Sequence, residues 1–176
     1  FCSEQEDRVF VAAGTIFNSV LVWSFPLSAT EGGDGTICGG QVTPCPPRCS
    51  LAGHQGSILK LCWSRDGRRL ASCSDDRTAR VWDLGPTAAA GAPRDGVCAS
   101  LEAEKVIYGH DGRLWDCLFS DDSKTLVTAS EDCTCRFWSL SRARSAETDT
   151  SDLVATVGGH RGRGVWRIAA TGDHLF

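Results

Sequence analysis

The sequence predicts an all-β fold assembled from repeated units of four short antiparallel strands, and three observations carry that expectation. First, Gly53 to Leu84 alternates short β-prone runs with turns. Ile58–Trp63 is apolar, Arg65–Arg68 is a polar turn, Leu70–Ser74 is small and apolar, Asp75–Arg77 turns again, and Thr78–Trp82 is β-prone, which leaves no room for a helix. Second, a gapless shift of 56 residues lays this stretch on Gly109 to Leu140 with 12 of 32 positions identical, among them the Gly-His start, Asp66/Asp122, Asp76/Asp132 and Trp82/Trp138. Third, Lys105–Tyr108 and Leu153–Val157 are β-prone segments that each run into a Gly-His pair, giving every unit a fourth strand. An internal repeat of this kind takes precedence over any other architecture.

In chain order, residues 1–25 read as the end of one unit, with strands Val9–Thr15 and Ser19–Trp23 around a turn near Phe17-Asn18, where Asn tolerates a left-handed backbone. Phe17 stands six residues before Trp23, where the later units carry Asp76 and Asp132, so this unit lacks the polar turn anchor. Residues 26–50, rich in Gly, Pro, Ser, Thr and Cys without periodicity, are expected to be a loop insertion. Residues 51–84 form a full unit, 85–104 a loop rich in Ala, Gly and Pro, 105–140 a second full unit, 141–152 a polar loop, and 153–176 the start of a further unit. Met is absent, the first residue is Phe1, and both ends fall inside units, so a stretch of a longer protein is expected, of about two and a half to three units.

Composition sets limits. Hydrophobic content of 41% with 23% charged residues is ordinary for a globular protein, and no apolar run approaches a membrane span. A net charge of -4 gives no global attraction to nucleic acid, so any such binding must come from a local patch. Of the ten cysteines, Cys62, Cys73, Cys117, Cys133 and Cys135 fall in expected strands where a small apolar residue fits, which favours buried reduced thiols. Cys38, Cys45 and Cys49 with His54 offer four potential zinc ligands, but their spacing matches no common zinc pattern and His54 has a repeat role, so no metal is expected. No phosphate loop, paired-carboxylate constellation or dinucleotide fingerprint is present, and neither a cofactor nor a small-molecule substrate is expected.

Four strands per unit, a Gly-His entry and a closing Trp-Asp pair resemble WD repeats, which implies a β-propeller. Gly53-His54 and Trp82-Asp83 stand 28 residues apart, and the second unit keeps that spacing with Ser139 in place of the Asp. The resemblance implies a hydrogen-bonded network inside each blade: His54, Ser72, Asp76 and Trp82, then His110, Thr128, Asp132 and Trp138, with Ser74 and Ser130 as alternative holders of the hydroxyl position. A catalytic triad is the competing reading of Ser, His and Asp, but a nucleophile needs an exposed site, and an active site is not expected to recur in consecutive repeats. No catalytic residues are therefore expected.

Two segments narrow the resemblance. Val11–Asn18 with Val20–Trp23, and Gly159–Ala170, resemble parts of the large WD-repeat regulatory partners of the tRNA anticodon-loop (wobble nucleotide) 2'-O-ribose methyltransferase. That resemblance implies a cytoplasmic, non-catalytic scaffold that binds the methyltransferase as its protein partner and helps present tRNA, without contact with a membrane. Arg161, Arg163 and Arg167 lie within ten residues free of acids and are the candidate RNA or partner contacts, and Trp166 aligns with Leu59 and Trp115 on the first strand, where core packing is expected. The alternative is a generic interaction propeller, such as an assembly scaffold or a ubiquitin-ligase substrate receptor. Many such receptors carry an Arg two places after the Trp-Asp pair, where this chain has Gly85 and Ser141.

Overall fold

The computed structural model describes residues 8–26, 47–85, 99–141, 152–171 and 174–175. Among them, fourteen strands and no extended helix are found. β1 (Arg8–Gly14) and β2 (Ser19–Pro26) form a hairpin, and β3 (Cys49–Ala52) adds antiparallel to β2. β4 (Ile58–Trp63), β5 (Arg69–Ser74) and β6 (Ala79–Asp83) form the antiparallel meander of the next blade. β7 (Ala99–Leu101) is followed by β8 (Lys105–Ile107), then by β9 (Leu114–Phe119), β10 (Thr125–Ser130), β11 (Cys135–Ser139) and β12 (Leu153–Val157). β13 (Ala170–Thr171) and β14 (His174–Leu175) make a short separate hairpin.

The three larger sheets have the orders β1-β2-β3-β7, β4-β5-β6-β8 and β12-β11-β10-β9. They are called blades 1, 2 and 3 here. The strand that runs into each Gly-His pair bonds backward: β3 to β2, β8 to β6 and β12 to β11. Sequence unit and structural blade are thus offset by one strand, so blade 2 is completed by Lys105–Ile107 rather than by a strand before Gly53. Residues 85–104, expected as a loop, contain β7, which pairs parallel with β3 (Cys49↔Ala99 to Leu51↔Leu101) and covers the outer edge of blade 1.

The turns explain why these residues fold this way. Asn18, Arg77 and Cys133 hold the same left-handed turn position, at φ 66, 67 and 68°, five residues before Trp23, Trp82 and Trp138. Cys133, expected in a strand, therefore sits in a turn. Gly67 and Ser123 share a second left-handed position, at φ 68 and 57°.

Strand alternation sends side chains to opposite faces, and the core lies between blades rather than within them. Leu70, Trp82 and Leu84 pack against Val20, Val22, Cys49 and Leu51 of blade 1. Ala71, Cys73, Ala79 and Val81 face Leu114, Cys117, Leu126 and Trp138 of blade 3. Small residues on this second face of blade 2 make room for Trp138. Cys49, Cys73 and Cys117 are buried and unbridged, and Cys62 Sγ lies 3.4 Å from Cys117 Sγ across the interface. The Cys117 contact and burial push the Cys62 thiol well up, and burial pushes the Cys73 thiol up against an opposing contact with Cys117. The Cys62 contact pulls the Cys117 thiol down, but its contact with Cys73 and burial outweigh it and hold it well above its ordinary value, so all three stay protonated. No helix among the described residues is long and apolar enough to cross a membrane.

Candidate functional site

In blade 2, the Gly-His loop, the second strand, the following turn and the third strand converge on one hydrogen-bonded chain. Trp82 Nε1–H donates to Ser72 Oγ at 3.0 Å, and Ser72 Oγ lies 2.8 Å from His54 Nε2. His54 Nδ1 is in turn 2.8 Å from Asp76 Oδ2. The Asp76 carboxylate also accepts from the N–H of Gln55 (2.8 Å), the N–H of Thr78 (2.9 Å) and the Thr78 hydroxyl (2.6 Å). With Asp76 ionised, Nδ1–H is the donor and Ser72 donates its proton to Nε2, so every member of the chain is satisfied.

Blade 3 repeats the arrangement. Trp138 Nε1–H donates to Thr128 Oγ1 at 2.8 Å, Thr128 Oγ1 lies 2.8 Å from His110 Nε2, and His110 Nδ1 lies 2.7 Å from Asp132 Oδ2. Burial opposes ionisation of Asp132, but donors from Thr134, His110 and the Asp111 N–H outweigh it and bring its carboxyl down to about 2. The balance at Asp76 has the same sign, with its carboxyl held well below the usual carboxylate range. At His110 burial wins, and its imidazole is pushed below its ordinary value despite Asp132.

The hydroxyl position is held by Ser72 and Thr128. Ser74 and Ser130 instead accept the backbone N–H of Asp76 and of Asp132, each at 3.1 Å, and so fix the turn that presents the carboxylate. Thr78 and Thr134 were missed as members of the network, although Thr at this position is shared by both repeats. Blade 1 has Ala13 and Phe17 where blade 2 has Ser72 and Asp76, and there the Phe17 N–H bonds to Thr15 Oγ1 at 3.2 Å. Cys49 is buried in β3 and His54 is engaged by Ser72 and Asp76. Cys38 and Cys45 lie outside the described residues, and no cluster of three potential metal ligands occurs among those described.

His160, which opens the next unit, is exposed, as are Arg161, Arg163 and Arg167. Trp166 corrects an expectation. It is 57% exposed, because Val165 takes the buried position and its N–H donates to Ser130 O at 2.8 Å. Trp166 lies flat on Trp115, with ring centroids 4.9 Å apart and planes 5° apart. The Arg113 guanidinium stands 5.4 Å from the Trp115 ring and pairs with Asp75 (3.3 Å) and Glu131 (3.1 Å). The result is a stack of the Arg113 guanidinium and two indoles on the seam between blade 3 and the segment 159–168.

The family model described as WD domain, G-beta repeat matches residues 45–83 and 102–139, the two stretches that carry these networks. Among curated proteins, the chain is similar to the tRNA (34-2'-O)-methyltransferase regulator WDR6 of Homo sapiens, at 28% identity over 91% of the chain, and to that of Mus musculus at 27% over 90%. It is also 35% identical, over 65% of its length, to the ribosome biogenesis protein YTM1 of Chaetomium globosum. The chain spans 12% of the length of those WDR6 regulators and 22% of YTM1.

Proposed function

We propose that this chain is part of a non-catalytic WD-repeat regulatory subunit that binds a tRNA 2'-O-ribose methyltransferase and helps present tRNA for methylation of the wobble nucleotide. The similarity to the WDR6 regulators carries the reading, because it extends over 91% of the chain whereas the repeat model covers residues 45–83 and 102–139 alone. A scaffold role fits the buried chemistry. Ser72 and Thr128 are 0% exposed, and each hydroxyl is engaged by a Trp N–H and a His nitrogen, so neither is available to attack a substrate. The exposed Arg161, Arg163 and Arg167, within six residues of Trp166 in the chain, supply charges for phosphate, and the Trp166 ring supplies a flat surface for an unpaired base. The site of action proposed with this reading is the cytoplasm.

The test is affinity purification of the full-length protein from cytosol, with bound proteins identified by mass spectrometry and bound RNA sequenced. A ribose methyltransferase together with tRNA is the expected result. The similarity to YTM1, confined to a shorter part of the chain, favours a generic assembly scaffold as second reading. Recovery of assembly factors or cullin-ligase subunits without RNA supports that second reading and removes the first.

A further inference from the structure

A cleft opens where blade 2 meets the Gly-His loop that enters blade 3. Gln55, Asp76, Arg77, Arg80 and Tyr108 line a volume of about 260 Å³ between the β5–β6 turn and the loop entering β9. The repeat supplies an internal comparison. Asp76, Thr78 and the neighbouring His110 recur because they serve the networks. At the lining positions left over, blade 2 has Gln55, Arg77 and Tyr108 where blade 3 has Asp111, Cys133 and Gly158.

The two arginines of the third strands also differ. In blade 3 the Arg136 side chain is tied down, with NH1 donating to Gly109 O at 2.7 Å and NH2 standing 3.8 Å from Asp132. Arg80 occupies the same register in blade 2 but makes no ion pair among the described residues. Its Nε–H is buried without a partner, as is that of Arg136. Arg77 is exposed on its left-handed turn and is likewise unpaired among the described residues. Asp76 lines the cleft with both oxygens already engaged by donors within the blade, so its acceptor capacity is used up.

We propose that this cleft receives a phosphorylated side chain of a protein partner, with Arg77 and Arg80 as the phosphate-binding residues and Gln55 and Tyr108 at its rim. Two unpaired guanidiniums in one concave site suit a compact dianion, since their planar donor forks match phosphate oxygens. A single charged side chain fits better than a nucleic-acid strand. A strand must lay successive phosphates along the surface, whereas the two guanidiniums stand in one cleft. The cleft shares no residue with the Arg161–Arg167 segment, and this inference does not depend on the RNA reading.

The experiment titrates the full-length protein by calorimetry with N-acetyl-O-phosphoserine amide, its unphosphorylated form, N-acetylglutamate amide and a short single-stranded RNA. The expected result is saturable binding of the phosphoserine probe and none of its unphosphorylated form. Arg77→Asn should weaken that binding by about tenfold or more, since a hydrogen bond to a charged group contributes roughly 1.5–3 kcal/mol. Asn18 already occupies the equivalent turn position in blade 1, so an unchanged thermal melt is expected of this variant. The double variant Gln55→Asp/Arg77→Cys, which installs the blade 3 residues, should abolish binding. Equal affinity of wild type and Arg77→Asn overturns the proposal. Equal or tighter binding of the glutamate probe, or RNA displacing the phosphoserine probe, overturns the assignment of the ligand.

Discussion

The ammonium of Lys60 lies 3.0 Å from the carboxylate of Asp116, joining the innermost strands of blades 2 and 3. Asp116 is almost fully buried, and it also accepts the backbone N–H of Cys117 at 3.0 Å and of Ile168 at 3.0 Å. One carboxylate therefore ties together blade 2, blade 3 and the segment that follows.

Asp116→Ala is expected to destabilise the protein by about 2–4 kcal/mol, because it strands a partly buried ammonium and two N–H groups. Arg65 and Asp121, 3.6 Å apart and largely exposed, provide the control, and Arg65→Ala should change stability by less than about 1 kcal/mol. Urea denaturation of both variants measures the difference. Equal effects would show that burial does not set the value of the pair.

Within the blade, Thr128→Val should cost about 1–3 kcal/mol, because the Trp138 indole N–H and the His110 nitrogen lose their shared partner. Thr128→Ser keeps the hydroxyl, as Ser72 does in blade 2, and should cost distinctly less. Thermal melts of the two variants check the order, and equal losses would mean that the methyl group rather than the hydroxyl carries the effect.

The networks also set an acid limit. Asp132 has a folded-state value of about 2, below its unfolded one, so its stabilisation is complete above about pH 4 and is lost as pH falls toward 2. His110 is held below its ordinary value, so the unfolded chain takes up its proton first and stability begins to fall as pH drops below about 6.5. Asp132→Asn should flatten the acid limb of stability against pH while lowering the plateau. An unchanged limb would remove Asp132 from the account.

Parallel indole rings 4.9 Å apart couple electronically, and Trp166→Phe should remove the paired bands of an exciton couplet from the circular dichroism spectrum. The stability loss should be about 0.5–1.5 kcal/mol, the value of an aromatic pair beyond its burial. A spectrum unchanged by the substitution would show that the stack is absent in solution.

Arg163→Glu should leave the thermal melt unchanged, since Arg163 is exposed, and should weaken tRNA binding by the full-length protein. A filter-binding titration at fixed salt reads this. Undiminished binding would remove the patch from the proposed function.

The blades were legible because repetition marks them. Gly-His, the turn aspartates and the closing tryptophans recur at one spacing, and the networks they form are local to each blade. What joins one blade to the next was harder to read, although Lys60/Asp116 and Arg65/Asp121 each occupy one register position in consecutive units with opposite charge. A 56-residue shift scored for charge complementarity instead of identity would have found both. The exposure of Trp166 was missed because alignment with Leu59 and Trp115 says which strand position it holds, but not that this position faces outward; Leu59 is itself 37% exposed. β7 was missed because three residues of Ala-Ser-Leu after a loop carry no periodic signal, and its partner β3 lies far away in sequence.

The one-strand offset between unit and blade has a consequence for synthesis on the ribosome. When Asp83 has left the exit tunnel, the third strand of blade 2 is available, yet its outer edge stays open until Lys105–Ile107 emerges. Each sheet therefore waits for the opening residues of its successor, and β7 completes the edge of blade 1 only after the meander of blade 2 has been made. Nascent-chain folding should lag one strand behind translation, and a pause just after residue 84 would hold out two unpaired strand edges at once.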